Sequence, residues 1–228
     1  MKFKISVSIL LFVCGIYSFA QGPLRDPRIL DGEKLKYKTT EGDKTFITEM
    51  EVRKSQIGNK ETYFFTSKTP ESKLELTVEA LEMESVRSFS DQVSAGAGYT
   101  TEMNLTRRPV LLPGEFLVLR TTELGFLLRG YPFNRPANLG VFILGSSRDS
   151  GFRLEVQFSG TEDLNINGRI QSTYKLELVS HLSGAMALFG GMVPKVYFWY
   201  TRTGVPTLVK YQGGAGFGSK AQIMEILN

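Results

Sequence analysis

Short stretches of alternating apolar and polar residues, separated by turn-forming residues, run through the N-terminal half of the chain. In residues 74–79, leucine and valine alternate with glutamate and threonine, which is the pattern of a strand with one buried and one solvated face. Further strands are predicted at 34–38, 45–52 and 62–67, with turns at 41–43 and 57–60. This half of the chain therefore predicts strands joined by tight hairpin turns.

The C-terminal half continues the same pattern. Its clearest signal is Asn167-Gly168 between short apolar runs, because both residues suit the positive φ angles of a primed hairpin turn. Residues 88–101 are small and polar, and we expect a loop or a distorted strand there. Strands are predicted at 102–107, 115–121, 124–130, 139–145, 152–158, 172–179, 195–203 and 206–212, with a turn at Gly204 and a final strand or short helix at 219–227.

The fold class predicted from this pattern is all-β. No stretch keeps a helical period for more than about two turns, and the sequence has no internal repeat or linker. We expect one β domain at 32–228, formed by a single curled antiparallel sheet or open half-barrel with few or no helices. More than about 40% of residues 30–228 should be strand, against roughly 20–25% in an average domain. Residues 21–31 contain two prolines and no periodicity, which predicts an N-terminal tether.

The N-terminus has the organisation of a cleaved signal peptide at residues 1–20. Lys2 and Lys4 precede an apolar run, and Ser18-Phe19-Ala20 places small residues at the −3 and −1 positions of a cleavage site. The apolar run of about thirteen residues is shorter than the roughly twenty needed to span a bilayer. Cys14 lies inside this run, after a valine, so lipidation is disfavoured. We therefore expect an exported protein, periplasmic or extracellular after cleavage at Gln21.

Charge and cysteine content narrow the function classes. Removal of residues 1–20 takes away two lysines and no acid, which lowers the net charge from +4 to about +2. This small excess gives no electrostatic signature of nucleic-acid binding. Since Cys14 is the only cysteine, cleavage also removes any disulfide or thiolate chemistry.

Three groups of segments resemble a widespread family of exported bacterial proteins classed as a domain of unknown function. The first is the opening strand Gly32-Glu33-Lys34-Leu35-Lys36-Tyr37. The second is a hairpin with Gly160-Thr161-Glu162, Gly168 and Thr173-Tyr174-Lys175-Leu176. The third is the closing pair of strands, with Val196-Tyr197-Phe198-Trp199-Tyr200-Thr201, Pro206 and Lys210.

The resemblance implies a secreted protein whose long antiparallel sheet curls into an open half-barrel. It implies no catalytic residue and no cofactor, because none is established for that family. The chain departs from the family pattern at 180–194, where an apolar, glycine-rich segment is longer, and at 88–135.

Residues for the common catalytic chemistries are scarce, so we predict no enzyme, no cofactor and no metal site. His181 is the only histidine, which leaves no multi-histidine metal centre, and the chain has no Gly-x-Ser-x-Gly nucleophile elbow. The glycine-rich run 213–220 ends in serine then lysine, the reverse of a phosphate-binding loop. Glu162 and Asp163 could form a glycosidase acid pair, but neighbouring residues on an extended strand face opposite ways, and solvation of the hairpin explains them.

Two apolar features indicate where a ligand could bind. Residues 197–200 place aromatics on both faces of one strand, so Trp199 should be buried and something besides the core must cover the second face. The apolar segment 184–193, with Met186, Leu188 and Phe189, is either a lid on the core, a mobile flap over a cavity, or a contact with a membrane or protein.

Two functions follow from these features. The first is a carrier of a lipid-like or other apolar molecule, with Tyr197 and Trp199 in the cavity, Met186, Leu188 and Phe189 as its gate, and Arg129, Arg202 or Lys210 near its rim. The alternative is a structural or protein-interaction module of the cell envelope without a small ligand. A deep apolar cavity would favour the carrier, and a filled core would favour the interaction module.

Overall fold

Residues 23–94, 97–104, 110–119, 121–144, 151–180, 195–214 and 221–227 are described by the structure, a computed structural model. More than half of residues 30–228 lie in strands, which confirms the all-β prediction. The strands are β1 (Glu33–Glu41), β2 (Lys44–Ile57), β3 (Lys60–Lys68), β4 (Ser72–Glu79), β5 (Glu84–Ser94), β6 (Ala97–Asn104), β7 (Glu115–Val118), β8 (Leu139–Leu144), β9 (Gly151–Ile166), β10 (Arg169–Val179), β11 (Val196–Thr201), β12 (Leu208–Gly213) and β13 (Gln222–Ile226).

The strands form one 13-stranded sheet in the order β6-β5-β4-β3-β2-β1-β13-β12-β11-β10-β9-β8-β7. All neighbours are antiparallel except β7 and β8, which are parallel, so the expectation of a wholly antiparallel sheet is wrong at this pair. Parallel neighbours need a crossover, and here the connection contains α1 (Leu124–Leu127) between 3₁₀ turns at Thr121–Glu123 and Leu128–Gly130. Within the described residues, no helix is long and apolar enough to cross a membrane.

The predicted hairpin turns are present where the sequence places them. Gly42, Gly58 and Gly204 all have positive φ. Asn167 and Gly168 have φ of 52° and 78°, as a primed turn requires. This turn starts a register in which Ile166 pairs with Arg169.

Two predicted elements are wrong. Residues 88–101 are not a loop but belong to β5 and β6, which pair with each other and, through β5, with β4. Residues 124–130 are not a strand but α1 and the following 3₁₀ turn. A short run that is apolar on every side does not distinguish a strand from a buried helical turn by its periodicity.

The sheet curls around α1 into a barrel-like fold. One core cluster contains buried side chains from β2–β4, from α1 and from β7–β12, so both halves of the sheet face the same interior. Phe126 of α1 stacks on Phe65 with ring centroids 4.5 Å apart. Near the two ends of the sheet, the Ser85 hydroxyl donates to Glu123 Oε2 at 2.9 Å.

The segment before β1 does more than connect a tether. Leu24 and Ile29 are fully buried in the core, and the Arg25 amide donates to the Gly130 carbonyl at 2.8 Å. A Cβ at Gly130 would lie only 2.4 Å from the Arg25 carbonyl oxygen. Glycine at 130 is therefore required for this close approach between the N-terminal segment and the interior turn.

Candidate functional site

Strand β11 is aromatic on both faces because it is covered on both. Phe198 and Tyr200 point into the core cluster, whereas Tyr197 and Trp199 alternate with them and lie on the outer face. Trp199 is only 3% exposed, which confirms its predicted burial. The second face of β11 is thus covered, and the cover includes charged side chains of the neighbouring strands.

Lysines from both neighbouring strands lie over the Trp199 ring. Lys175 of β10 and Lys210 of β12 are its cross-strand partners. Their Nζ atoms lie 5.0 Å and 5.8 Å from the ring centroid, and Lys175 Nζ is also 4.6 Å from that of Tyr197. These distances are typical of cation–π attraction, which favours a fixed indole between two ammonium groups.

Two glutamates complete this group. Glu162 Oε2 on β9 accepts hydrogen bonds from Trp199 Nε1 at 3.0 Å and Lys175 Nζ at 3.1 Å. Lys210 Nζ pairs with Glu225 Oε1 of β13 at 2.8 Å. We call these residues the Trp199 cluster. Its members are Glu162, Lys175, Tyr197, Trp199, Lys210 and Glu225.

The hydrogen bonds to Glu162 determine its charge state. The bond from the Trp199 indole, then the bond and the positive charge of Lys175, lower the pKa of the Glu162 carboxyl. A glycosidase general acid needs the opposite shift, because it must hold its proton near neutral pH. The cluster is therefore suited to recognition by an aromatic and balanced charges rather than to proton transfer by Glu162.

Arg129 is not near a rim, as the sequence suggested, but in the interior. It is 3% exposed, because the 3₁₀ turn that carries it packs inside the curled sheet. Its Nη1 and Nη2 each lie 2.8 Å from a Glu33 carboxylate oxygen, and Nε donates to the Pro206 carbonyl at 2.7 Å. Arg129 thus forms a buried bidentate ion pair that connects the interior turn to β1.

Arg202 is also separate from the Trp199 cluster. It is exposed after β11, with its guanidinium 5.6 Å from the ring centroid of Tyr174 and Nη1 3.2 Å from Ser172 Oγ. Tyr174 faces Tyr200 across the strands, on the side opposite Lys175. Of the predicted site residues, Tyr197, Trp199 and Lys210 lie together, and Met186, Leu188 and Phe189 are outside the described residues.

The interior is filled by the chain itself. The cavity between β1, β2, β3, α1 and β12 has about 20 Å³ open to the centre of a water-sized sphere. That space suffices for about one water molecule. Tyr37 and Tyr200 close its surroundings by donating to the carbonyls of Leu208 at 2.8 Å and Gly125 at 3.0 Å. Burial raises the pKa of both tyrosines, so both hydroxyls keep their protons.

The sequence analysis missed Glu33, Lys175 and Glu225 as members of these arrangements. One signal could have placed Lys175, because a two-residue turn at Asn167-Gly168 sets Glu162 opposite Thr173 and diagonal to Lys175. No comparable local signal exists for Glu33, which meets Arg129 from 96 residues away.

Comparisons with known proteins add little to this geometry. No family model and no curated protein matches the sequence. The chain is similar to the crystal structure of a β-barrel-like protein of domain of unknown function DUF1849 from Brucella abortus, with 9% identity and a TM-score of 0.44. The match covers 87% of this chain and 97% of the other. A similarity of this size carries no argument about function.

Proposed function

We propose that this protein is a non-enzymatic, exported interaction module of the cell envelope rather than a carrier of an apolar molecule. The observation that supports this is the filled interior. Ligand pockets commonly have about 300–1,000 Å³, whereas the cavity beneath α1 has about 20 Å³ by the measure given above. The space that a lipid would need is taken by side chains of the chain itself.

The packing of α1 explains why a ligand would not easily displace it. Phe126 contacts Phe65 by stacking and Tyr63 by an edge-on arrangement with centroids 6.3 Å apart. Tyr200 holds the Gly125 carbonyl, and the Arg129–Glu33 ion pair follows directly in the chain. Opening the barrel would break aromatic, hydrogen-bonded and ionic contacts together.

The contact surface proposed for the module is the Trp199 cluster. Tryptophan, tyrosine and their charged neighbours are the residues that dominate binding energy at protein interfaces. Two glutamates and two lysines give the cluster no excess of either charge, which favours a protein partner over an anionic membrane surface or nucleic acid. The half-buried ring of Tyr197 is available at its edge.

Export is the second part of the proposal, and it rests on the N-terminal sequence. The mature chain should begin at Gln21 and carry no lipid on Cys14. Intact mass of the protein purified from its own envelope measures both. A mass that retains residues 1–20, or that includes a diacylglycerol group, would contradict this part.

Native mass spectrometry and lipid extraction of the same material test the interaction module against the carrier. We expect the mass of the polypeptide alone and no extractable lipid. Deleting Ala185–Gly191 should then leave binding of an apolar dye unchanged. Stoichiometric lipid in the wild type that is lost in the deletion variant would favour the carrier instead.

A photo-crosslinking side chain at Tyr197 tests the contact surface. It should give a discrete product with an envelope protein, and Lys175→Glu should abolish that product because it reverses one charge of the cluster. The same group at Glu49, an exposed position on β2, is the matched control. Equal products from both positions, or no effect of Lys175→Glu, would refute the assignment of this surface.

A further inference from the structure

Three glutamates meet at the end of the β4–β5 hairpin, away from the Trp199 cluster. Glu79 ends β4, Glu82 lies in the turn and Glu84 begins β5. One carboxylate oxygen of each lies within 4.8 Å of those of the other two. Such proximity is electrostatically unfavourable unless a positive charge lies among the carboxylates.

A buried hydroxyl lies beside these acids. Thr62 on β3 is the cross-strand partner of Glu79, and Glu79 is the partner of Glu84. Directly opposed residues share a sheet face with Cβ atoms about 4.5–5.5 Å apart, so Thr62 points to the same side as the two glutamates. Thr62 is 2% exposed, and its Oγ1 has no hydrogen-bond partner.

Lys60 supplies one positive charge from the same face of β3. Its Nζ lies 3.2 Å from Glu79 Oε2, but its side chain is 59% exposed. An exposed ammonium offsets one of the three carboxylates, and it leaves the Thr62 hydroxyl oxygen unpartnered. The arrangement still offers oxygen atoms and negative charge to a further cation.

The turn that carries Glu82 is held in place. The Ala80 amide donates to the Glu61 carbonyl at 3.0 Å, and Met83 is fully buried with φ of 50°. Both ends of the turn are thus fixed to the sheet and the core, so its carboxylate does not depend on a free loop for its position.

From these observations we propose that Glu79, Glu82, Glu84 and the Thr62 hydroxyl bind a calcium ion. Carboxylate and hydroxyl oxygens are hard ligands, and Ca²⁺ accepts six to eight oxygens in irregular geometry, with water supplying the rest. Mg²⁺ demands near-ideal octahedral geometry, and Zn²⁺ prefers nitrogen and sulfur. This site needs no histidine or cysteine, which is why their scarcity in the sequence does not bear on it.

Calorimetric titration of the mature chain with CaCl₂, together with thermal unfolding, tests the site. The wild type should bind one Ca²⁺ with a dissociation constant of about 10⁻⁴–10⁻³ M, the range of extracellular modules. Glu82→Gln should weaken binding at least about tenfold. Glu75→Gln is the matched control, since Glu75 also lies on β4 but pairs with Lys73, and its binding should equal that of the wild type.

Thr62→Val separates a ligand role from a structural one, because the two measurements should move in opposite directions. In EDTA the variant should unfold at a higher temperature, since it removes an unpartnered buried hydroxyl. Its Ca²⁺ affinity should fall. The proposal is overturned if the wild type shows neither heat nor a thermal shift at millimolar Ca²⁺. Equal effects of Glu82→Gln and Glu75→Gln, or tighter binding of Mg²⁺ than Ca²⁺, would overturn it too.

Discussion

The indole nitrogen of Trp199 lies 3.0 Å from Oε2 of Glu162, although a whole strand, β10, separates their backbones. Both side chains lean over Lys175, which occupies the strand between them and donates to the same carboxylate oxygen at 3.1 Å. A β-bulge next to Lys175 and a second next to Trp199 shift the local register around this contact. The cluster is therefore a product of three strands at once, and it couples an aromatic to an ionised acid.

Replacement of Trp199 should separate its packing from its hydrogen bond. Trp199→Ala should lower the free energy of unfolding by about 3–5 kcal/mol, as for a large buried aromatic. Trp199→Phe keeps much of the ring and loses the N–H, so we expect a loss of about 1 kcal/mol beyond that of the smaller ring. Urea unfolding followed by circular dichroism measures both. Equal losses in the two variants would show that the ring itself contributes nothing.

The Glu162 carboxyl should titrate at unusually low pH. Its folded pKa is lowered by the Trp199 and Lys175 contacts, so the stability they confer is present above the unfolded pKa. This stability is lost as the pH falls through the folded value, below the ordinary 4.5. Trp199 is the only tryptophan, and its indole N–H resonance should report this titration. In Glu162→Gln the low-pH step of that resonance should vanish, and its persistence would assign it to another group.

Alkaline pH should destabilise the protein through its buried tyrosines. Burial raises the pKa of Tyr37 and Tyr200 above their ordinary value of 10.0. Their contribution is therefore complete below pH 10 and decreases as the pH rises toward the folded values. Tyr37→Phe should cost about 1 kcal/mol at pH 8, where the bond to the Leu208 carbonyl is lost. Between pH 8 and 11 the variant should lose less stability than the wild type, and an unchanged difference would contradict the assignment.

The sequence was most informative where the signal is local. A hairpin turn depends on a few adjacent residues, so Asn167-Gly168 could be placed from sequence, and with it the opposition of Glu162 and Thr173. The alternation of aromatics in β11 likewise predicted one inward face and one covered outer face for Trp199. These features need no knowledge of distant parts of the chain.

The prediction was wrong where packing between distant segments decides the structure. Residues 124–130 are apolar on all sides because α1 is surrounded by the curled sheet, a setting that a periodicity over seven residues does not reveal. Strand β5 is held by its backbone pairing with β4 and β6, so small polar residues suffice for it. Arg129 could not be placed inside without knowing that Glu33 lies beside it.

The Arg129–Glu33 ion pair should be costly to break and cheap to replace. Arg129→Met leaves a half-buried Glu33 carboxylate without its two hydrogen bonds, and we expect a loss of about 3–5 kcal/mol in unfolding free energy. Arg129→Lys should recover only part of this, because a single ammonium cannot reproduce the bidentate contact and the bond to the Pro206 carbonyl together. The double variant Glu33→Leu/Arg129→Met removes both charges and should lie close to the wild type. Urea unfolding of the four proteins forms a double-mutant cycle, whose coupling energy should be at least about 2 kcal/mol. Additive losses would mean that the two charges are independently solvated, and the interior turn would then be held by Phe126 and Tyr200 alone.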